Sequence, residues 1–108
     1  MRSFAGLRRR ADFARLRRQG RRVNAGTVTL YRSDGAPGDE RSLVGIAINK
    51  SIGKAVVRNK IRRRLVSILH DALSGRRTMR LLVVARPSAV DAAFDALRAD
   101  VVAALGPA

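Results

Sequence analysis

The chain has 108 residues, of which 46% are hydrophobic and 4% aromatic, a size and composition that suit one domain with an aliphatic core. Its 23 Lys and Arg outnumber 8 Asp and Glu, and the formal net charge of +15 favours a nucleic acid or an anionic membrane as partner. No apolar run approaches the ~20 residues that span a bilayer, no signal peptide is recognisable, and the lack of cysteine excludes disulfides and thiolate sites. We therefore expect a single cytoplasmic nucleic-acid-binding domain over residues 1–108, with flexible ends at 1–8 and 106–108.

The first 22 residues form the first of two basic blocks, with nine arginines and one aspartate. Within them, residues 11–18 predict a short helix that turns Phe13 and Leu16 inward and ends at Gly20. Phe13 could pack in the core or add to a base-stacking platform. A further short strand is expected at 21–24.

Two more strands are predicted on either side of a loop. Residues 27–32 alternate between apolar and polar side chains, and Tyr31 lies on the more polar face. Base stacking and core packing both remain open for this ring. The Gly- and Pro-rich stretch 33–41 predicts a solvated loop. Residues 43–50 predict a strand with one apolar face, whereas small side chains on the other face leave room for docking: Gly45, Ala47 and Asn49.

The second half of the chain predicts a helix, a strand and a last helix. Residues 53–73 repeat apolar side chains every three or four positions, and Gly75 ends this long helix. The apolar run 79–85 is typical of a strand buried on both faces. Ser88 and Asp91 predict a capping-box start for the last helix, with an apolar stripe at Val90, Phe94, Leu97, Val101 and Leu105. Strand, helix and strand in this order predict a crossover between parallel strands, and hence a small α/β sandwich with about four strands.

The segment 49–64 is the second basic block and lies mostly on the long helix. It holds seven cations and no carboxylate: Lys50, Lys54, Arg58, Lys60, Arg62, Arg63 and Arg64. Like charges at i,i+4 repel and weaken an isolated helix, whereas a nucleic acid lying along it would remove that repulsion. Asn59 adds a side chain that can hydrogen-bond sugar or base edges. We therefore favour a nucleic-acid-binding face over a merely solvated one.

Catalysis by the polypeptide alone finds little support in these residues. The one histidine, His70, is expected at the surface near the end of the long helix. Asp91 and Asp95 are four positions apart, but carboxylates are favoured in the first turns of helices in any case, so no metal ligand is predicted. A phosphate-binding loop is not predicted either, because Gly53-Lys54-Ala55 lacks the upstream glycine spacing and the hydroxyl.

The segment Ile52-Gly53-Lys54-Ala55-Val56-Val57-Arg58-Asn59-Lys60-Ile61-Arg62-Arg63 resembles the signature of the bacterial ribonuclease P protein component. Shorter segments match the family in order and spacing: Asp12-Phe13, Gly20, Val28-Thr29-Leu30-Tyr31, Val44-Gly45 and Val83-Val84-Ala85-Arg86 before a proline. The resemblance implies an α+β domain of order αβββαβα, with a mixed sheet of about four strands and a left-handed crossover, like the second domain of ribosomal protein S5.

The resemblance also implies a division of labour. A large RNA subunit with its catalytic Mg²⁺ ions removes the 5′ leader of precursor tRNA, and the protein supplies no catalytic group, no metal ligand, and no membrane or small-molecule site. The residues implied to bind the RNA subunit are Lys54, Arg58, Asn59, Lys60, Arg62 and Arg63. The residues implied to hold the single-stranded leader, in a cleft between the first helix and the sheet, are Phe13, Arg17, Tyr31, Asn49 and Lys50. Arg17 stands where many members have a second aromatic residue. The alternative is a small basic structural or ribosomal RNA-binding protein with no part in catalysis.

Overall fold

The computed structural model describes residues 2–107, which form five strands and three helices. In chain order these elements are β1 (Phe4–Gly6), α1 (Arg10–Gln19), β2 (Arg21–Ala25), β3 (Val28–Asp34), β4 (Ser42–Ala47), α2 (Ala55–Leu73), β5 (Met79–Ala85) and α3 (Phe94–Leu105). Short 3-10 turns precede the last two helices, at Lys50–Ile52 and Pro87–Ala89. None of the helices in this part of the chain combines the length and the apolar character needed to cross a membrane.

The strands form one mixed sheet in the order β1-β4-β5-β3-β2. β1 and β5 both run parallel to β4, whereas β3 is antiparallel to β5 and to β2. Helix α2 therefore joins two adjacent parallel strands, as the order of strand, helix and strand predicted. The central position of β5 explains its apolar run, because Leu81, Leu82 and Val83 are fully buried.

The two faces of the sheet carry cores of different size. Helices α2 and α3 cover one face and contribute most of the buried side chains, among them Leu65, Leu69 and Leu97. Helix α1 covers the other face, where the buried cluster consists of Leu7, Leu16 and Leu82. Because each buried leucine contributes roughly 1.5–3 kcal/mol, most of the hydrophobic stabilisation lies on the α2 and α3 face.

Strand β1 corrects the prediction of a flexible end at 1–8. Its residues Phe4–Gly6 pair in parallel with residues 42–44 of β4, and Phe4 is buried in the larger core. The sheet consequently has five strands instead of about four. A three-residue strand carries no periodicity of its own, so this pairing depends on a partner far along the chain. At the opposite end, the N–H of Gly106 bonds the carbonyls of Val102 and Ala103, and Ala108 lies outside the described residues.

The predicted start of the last helix is also wrong. Helix α3 begins at Phe94, and its N-cap Ala93 makes no side-chain capping bond. Ser88 instead lies in the turn after β5, where its hydroxyl donates to the carbonyl of Gly26 at 3.2 Å. Val90 is 38% exposed and does not belong to the apolar stripe. The stripe from Leu97 onward is buried as predicted.

The solvated loop predicted at 33–41 is shorter than expected, because Ser33 and Asp34 belong to β3. The rest of the loop is held to the sheet by an ion-pair network. Arg80 on β5 binds Asp39 of the loop, with Nε to Oδ2 at 3.0 Å, and Asp12 of α1, with Nη1 to Oδ1 at 3.4 Å. The Arg80 hydrogen bond and the N–H of Ala36 lower the pKa of Asp39, and the same Asp39 bond raises the pKa of Arg80. We call these three side chains the Arg80 clamp.

A second carboxylate secures the β2–β3 hairpin to α3. The N–H and the hydroxyl of Thr27 both donate to Oδ2 of Asp100, at 2.9 and 2.6 Å. These bonds lower the pKa of Asp100. Gly26 has φ of +61° in this turn, and a Cβ there would lie 2.8 Å from the Asp100 carboxylate, so glycine is required for both conformation and space.

Candidate RNA-binding surfaces

Helix α1 lies directly on the sheet because a glycine faces it. A Cβ at Gly45 would lie 2.4 Å from Cε1 of Phe13, so the ring of Phe13 occupies the space that a larger residue on β4 would fill. Leu16, one turn later, is 3% exposed and packs in the cluster with Leu82. Phe13 is only half-buried, so it both packs on the core and keeps an open edge.

The row of the sheet next to Gly45 forms a partly open shelf. In strand register it runs across four strands, from β4 to β2: Ala47, Val84, Thr29 and Asn24. Ala47 and Val84 are half-buried and Asn24 is exposed. The hydroxyl of Thr29 donates to Oδ1 of Asn24 at 2.9 Å. This row and the side of α1 that carries Phe13 and Arg17 together define the shelf cleft.

Tyr31 borders the shelf cleft with two guanidinium groups beside its ring. The Cζ atom of Arg17 lies 5.7 Å from the ring centroid and that of Arg22 lies 6.0 Å from it, both within cation–π range. The sequence interpretation included Arg17 but missed Arg22. The register Arg22↔Tyr31 explains why, since the residues become neighbours only when the hairpin pairs. Tyr31 therefore offers a mixed aromatic and cationic surface, which suits a base together with its phosphate.

Asn49 and Lys50 lie where β4 leads into α2. The predicted strand 43–50 ends at Ala47, because Asn49 caps the following turn and its Oδ1 accepts from the N–H of Ser51 at 2.9 Å. Asn49 thus has a structural role that the sequence did not reveal. Lys50 is exposed at the end of the shelf cleft.

Most cations at the start of α2 are exposed and distinct from the side chains that the helix buries. Lys54, Lys60, Arg62 and Arg63 are exposed, as is Asn59. Ion pairs among the described residues are confined to the Arg80 clamp, so no carboxylate neutralises this face. We call these five residues, together with Arg58, the α2 basic face.

Two arginines of α2 are anchored in ways that set the limits of this face. Arg58 is half-buried, and its Nε donates to the carbonyl of Gly53 at 3.1 Å, which braces the entry to the helix. Arg64 turns the other way, and its Nη1 donates to the carbonyl of Ala92 at 3.1 Å. Arg64 therefore supports the contact of α2 with the segment before α3 and does not belong to the basic face.

The α2 basic face and the shelf cleft meet at the edge of β4. Strand β1 pairs only with residues 42–44, so the edge of β4 beyond them carries no strand partner among the described residues. Nη1 of Arg62 lies 3.5 Å from the carbonyl oxygen of Ile46 at this edge. Cations on α2 and polar groups at the end of the shelf thus form one surface that turns around the sheet edge.

A family model described as Ribonuclease P matches residues 1–108. The chain belongs to the ribonuclease P protein family. It is 38% identical to the ribonuclease P protein component of Thermobifida fusca, over 92% of this chain and 72% of that protein. It is 39% identical to the component from Streptomyces bikiniensis, over 92% of this chain and 87% of that protein.

Solved structures of ribonuclease P proteins agree with this fold. The Staphylococcus aureus protein has a TM-score of 0.83 at 25% identity and covers 93% of this chain and 91% of its own. The Thermotoga maritima protein has a TM-score of 0.76 at 22% identity, with 90% and 91% covered, and supports the fold alone. The predicted α+β fold is confirmed, with one strand more than expected. Membership assigns the chain to tRNA processing by ribonuclease P instead of the structural RNA-binding role that the sequence left open.

Proposed function

We propose that this protein is an adaptor between the catalytic RNA of ribonuclease P and precursor tRNA, working in the cytoplasm, while hydrolysis belongs to the RNA. The observation that supports this most directly is the uncompensated α2 basic face joined to the shelf cleft at the β4 edge. A polyanion bound across both surfaces would relieve the repulsion among these cations.

The α2 basic face is the proposed contact with the RNA subunit. Exposed guanidinium groups at Arg62 and Arg63 can each bind a phosphate through two donors, while Lys54 and Lys60 contribute point charges. Asn59 on the same face adds hydrogen bonds to sugar or base edges. Arg58, whose Nε is already used, orients the N-terminal turn and offers its terminal nitrogens to the RNA.

The shelf cleft is the proposed path of the single-stranded 5′ leader. Phe13, Arg17 and Tyr31 line one wall, and Asn49 and Lys50 lie at the end nearest the α2 basic face. Because the RNA subunit carries the cutting site, the leader enters at this end and runs across the strands toward β2. Arg22 joins the predicted residues here, since it lies beside the ring of Tyr31.

Magnesium ions belong, in this proposal, to the RNA subunit and its substrate. The described residues hold no group of three or more His, Asp or Glu side chains that could share an ion, and we assign no metal ligand to this chain. The protein acts on the ion requirement indirectly, because its positive charge offsets repulsion between two RNA polyanions.

Reconstitution with the cognate RNA subunit tests the adaptor role. Cleavage of a precursor tRNA is measured across a Mg²⁺ titration with and without the protein, and the cut site is mapped. We expect half-maximal cleavage at lower Mg²⁺ with the protein, and a cut at the mature 5′ end in both cases. Superimposable titration curves would contradict the proposal and would favour a purely structural RNA-binding role.

The leader contact has a separate test in Tyr31→Ala. Loss of a stacked base weakens binding of precursor tRNA by ~1–3 kcal/mol, whereas mature tRNA, which has no leader, should bind as before. Val56→Ala, at a position 78% exposed on α2, is the control. Equal losses for precursor and mature tRNA would remove Tyr31 from the leader path.

A further inference from the structure

A second groove runs along the side of α1 that faces away from the shelf cleft. It consists of two adjoining cavities of about 560 and 170 Å³. Both are lined by Asp12, Arg15 and Arg80, the larger one also by Arg8 and Arg9 near the start of α1. The smaller cavity continues to Gln19, Gly20 and Ser33 at the end of the helix. Neither the basic face of α2 nor the shelf cleft includes these residues.

The free charge of this second groove is positive. Arg8, Arg9 and Arg15 are exposed and take part in no ion pair among the described residues. Asp12, the one acid lining these two cavities, already binds Arg80, and so does Asp39 of the neighbouring loop. The clamp also fixes the loop that carries Ala36 as the outer wall. The groove therefore presents three guanidinium groups to an anion on a preformed wall.

Arginines connect the two grooves across the exposed surface of α1. At 100° per residue, Arg17, Arg18 and Arg15 project from three successive sides of the helix. Arg17 faces the shelf cleft, Arg15 lines the second groove, and Arg18 is exposed between them. A flexible strand that leaves the cleft beside Arg17 thus finds a continuous series of cations over the last turns of α1.

We propose that the second groove binds the phosphate backbone of the distal part of a long 5′ leader, after the strand has crossed α1. This inference rests on the proposed function, which brings the leader to the shelf cleft. A concave, cationic groove beside a single-strand site suits an unpaired strand, because a duplex presents its phosphates on a convex surface and reaches only the rim. No aromatic side chain lines either cavity, so binding here depends on charge and not on base sequence.

The test compares leader lengths in the reconstituted holoenzyme. Precursor tRNAs with leaders of about 4 and about 16 nucleotides span the range that small single-strand-binding domains occupy. The dissociation constant of each is measured against salt for the wild type, for Arg8→Gln with Arg15→Gln, and for the control Arg77→Gln with Arg98→Gln. The control arginines are exposed and lie outside the surfaces described above.

We expect the wild type and the control to bind the long leader more tightly than the short one, whatever the leader sequence. In the Arg8 and Arg15 variant this advantage should disappear, and the salt slope for the long leader should fall by about 1.4, or 0.7 for each lost phosphate. The short leader should bind unchanged.

Two results would overturn the second groove as a leader site. One is an unchanged length advantage in the Arg8 and Arg15 variant. The other is an equal loss for both leaders together with weaker assembly with the RNA subunit, which would assign these arginines to that subunit. Failure of the adaptor proposal is recognised separately, since the wild type would then not distinguish precursor from mature tRNA.

Discussion

On the α2 face of the sheet, different side chains of one helix build the core and form the surface proposed to bind RNA. Leu65 is fully buried while Arg62 and Arg63 are exposed. On the α1 face the two roles overlap. Leu16 is the one α1 side chain in the buried cluster, and the neighbouring contact comes from Phe13, which also lines the shelf cleft.

This difference has a consequence for how each surface tolerates change. The exposed cations Lys60, Arg62 and Arg63 can be exchanged without loss of packing, because α2 is held by five other residues that are buried. Substitutions of the residues that pack between α1 and the sheet alter both the position of the helix and the wall of the shelf cleft. Binding and stability should therefore separate cleanly in α2 variants and change together in α1 variants.

The largest expected effect comes from the core of α2. Leu65→Ala should lower the free energy of unfolding by about 3–5 kcal/mol, because the site is closed on all sides, and Leu16→Ala by about 2–3 kcal/mol, because its small cluster can relax. Urea denaturation followed by circular dichroism measures both. Val56→Ala is the exposed control and should stay within about 0.5 kcal/mol. Equal losses of unfolding free energy in the two leucine variants would contradict the conclusion that the α2 and α3 face holds the larger core.

Gly45→Ala tests the overlap of roles under α1. The added methyl group meets the ring of Phe13 and pushes the helix from the sheet, at a cost of about 1–3 kcal/mol in stability. The same shift should weaken the binding of precursor tRNA but leave the binding of the RNA subunit unchanged. Gly6→Ala, with open space around its Cβ and no positive φ, controls for glycine replacement away from the contact between α1 and the sheet. If a destabilised Gly45 variant kept its full affinity for the leader, the packing of α1 on the sheet would not determine leader binding in the shelf cleft.

Arg62→Gln with Arg63→Gln tests the opposite case. The pair should leave the unfolding free energy within about 0.5 kcal/mol of the wild type. It should reduce the salt slope of RNA-subunit binding by about one for each lost phosphate contact. Arg64→Gln, adjacent in sequence but bound to Ala92, should keep the full slope. An unchanged slope in the double variant would exclude both arginines from the interface.

The smallest effect is the acid sensitivity that two carboxylates confer, Asp39 of the Arg80 clamp and Asp100 of α3. Hydrogen bonds from Arg80 lower the pKa of Asp39, and those from Thr27 lower the pKa of Asp100. A lowered pKa stabilises the fold above the unfolded-state value of about 3.9, and this contribution is lost as the pH falls through the folded-state value. Stability should therefore decline below about pH 4.

Asp39→Asn should flatten this part of the pH profile, measured as melting temperature against pH, because it removes one of the two groups. Asp91→Asn, an exposed aspartate outside the described ion pairs, is the matched control and should leave the profile unchanged. A wild-type profile in the Asp39 variant would show that the Arg80 clamp adds nothing to acid stability.

The α2 basic face was accessible to sequence reasoning because its signals are local. Apolar spacing from Val57 to Ala72 and the uncompensated cations lie in one continuous segment. The helix that forms there buries the middle of this stripe, whereas Val57 and Ala72 at its ends are partly buried. The apolar run of β5 was equally clear. Both required only periodicity and composition, without knowledge of any distant partner.

The features that the sequence missed depend on contacts between distant residues. Arg80 meets Asp12 and Asp39 from 68 and 41 positions away, and Arg22 meets Tyr31 only after the hairpin pairs. The capping role predicted for Ser88 was wrong because its hydroxyl donates to the carbonyl of Gly26, 62 positions away. In the shelf cleft the sequence therefore missed Arg22, whereas the residues assigned to the α2 basic face come from one continuous segment; the binding role of both sets stays a prediction.

The late position of β5 in the chain determines how the molecule must assemble. Strands β3 and β4 each pair with β5 and not with each other, so a growing polypeptide cannot close its sheet until residue 85 has left the ribosome. Until then, β3 and β4 each lack β5 as a neighbour, and the sheet surface on which α2 packs is incomplete. Pairing between such remote segments is slow. The shelf, the basic helix and the second groove should therefore mature together in one late event, and a nascent chain shorter than this should have no organised surface for RNA.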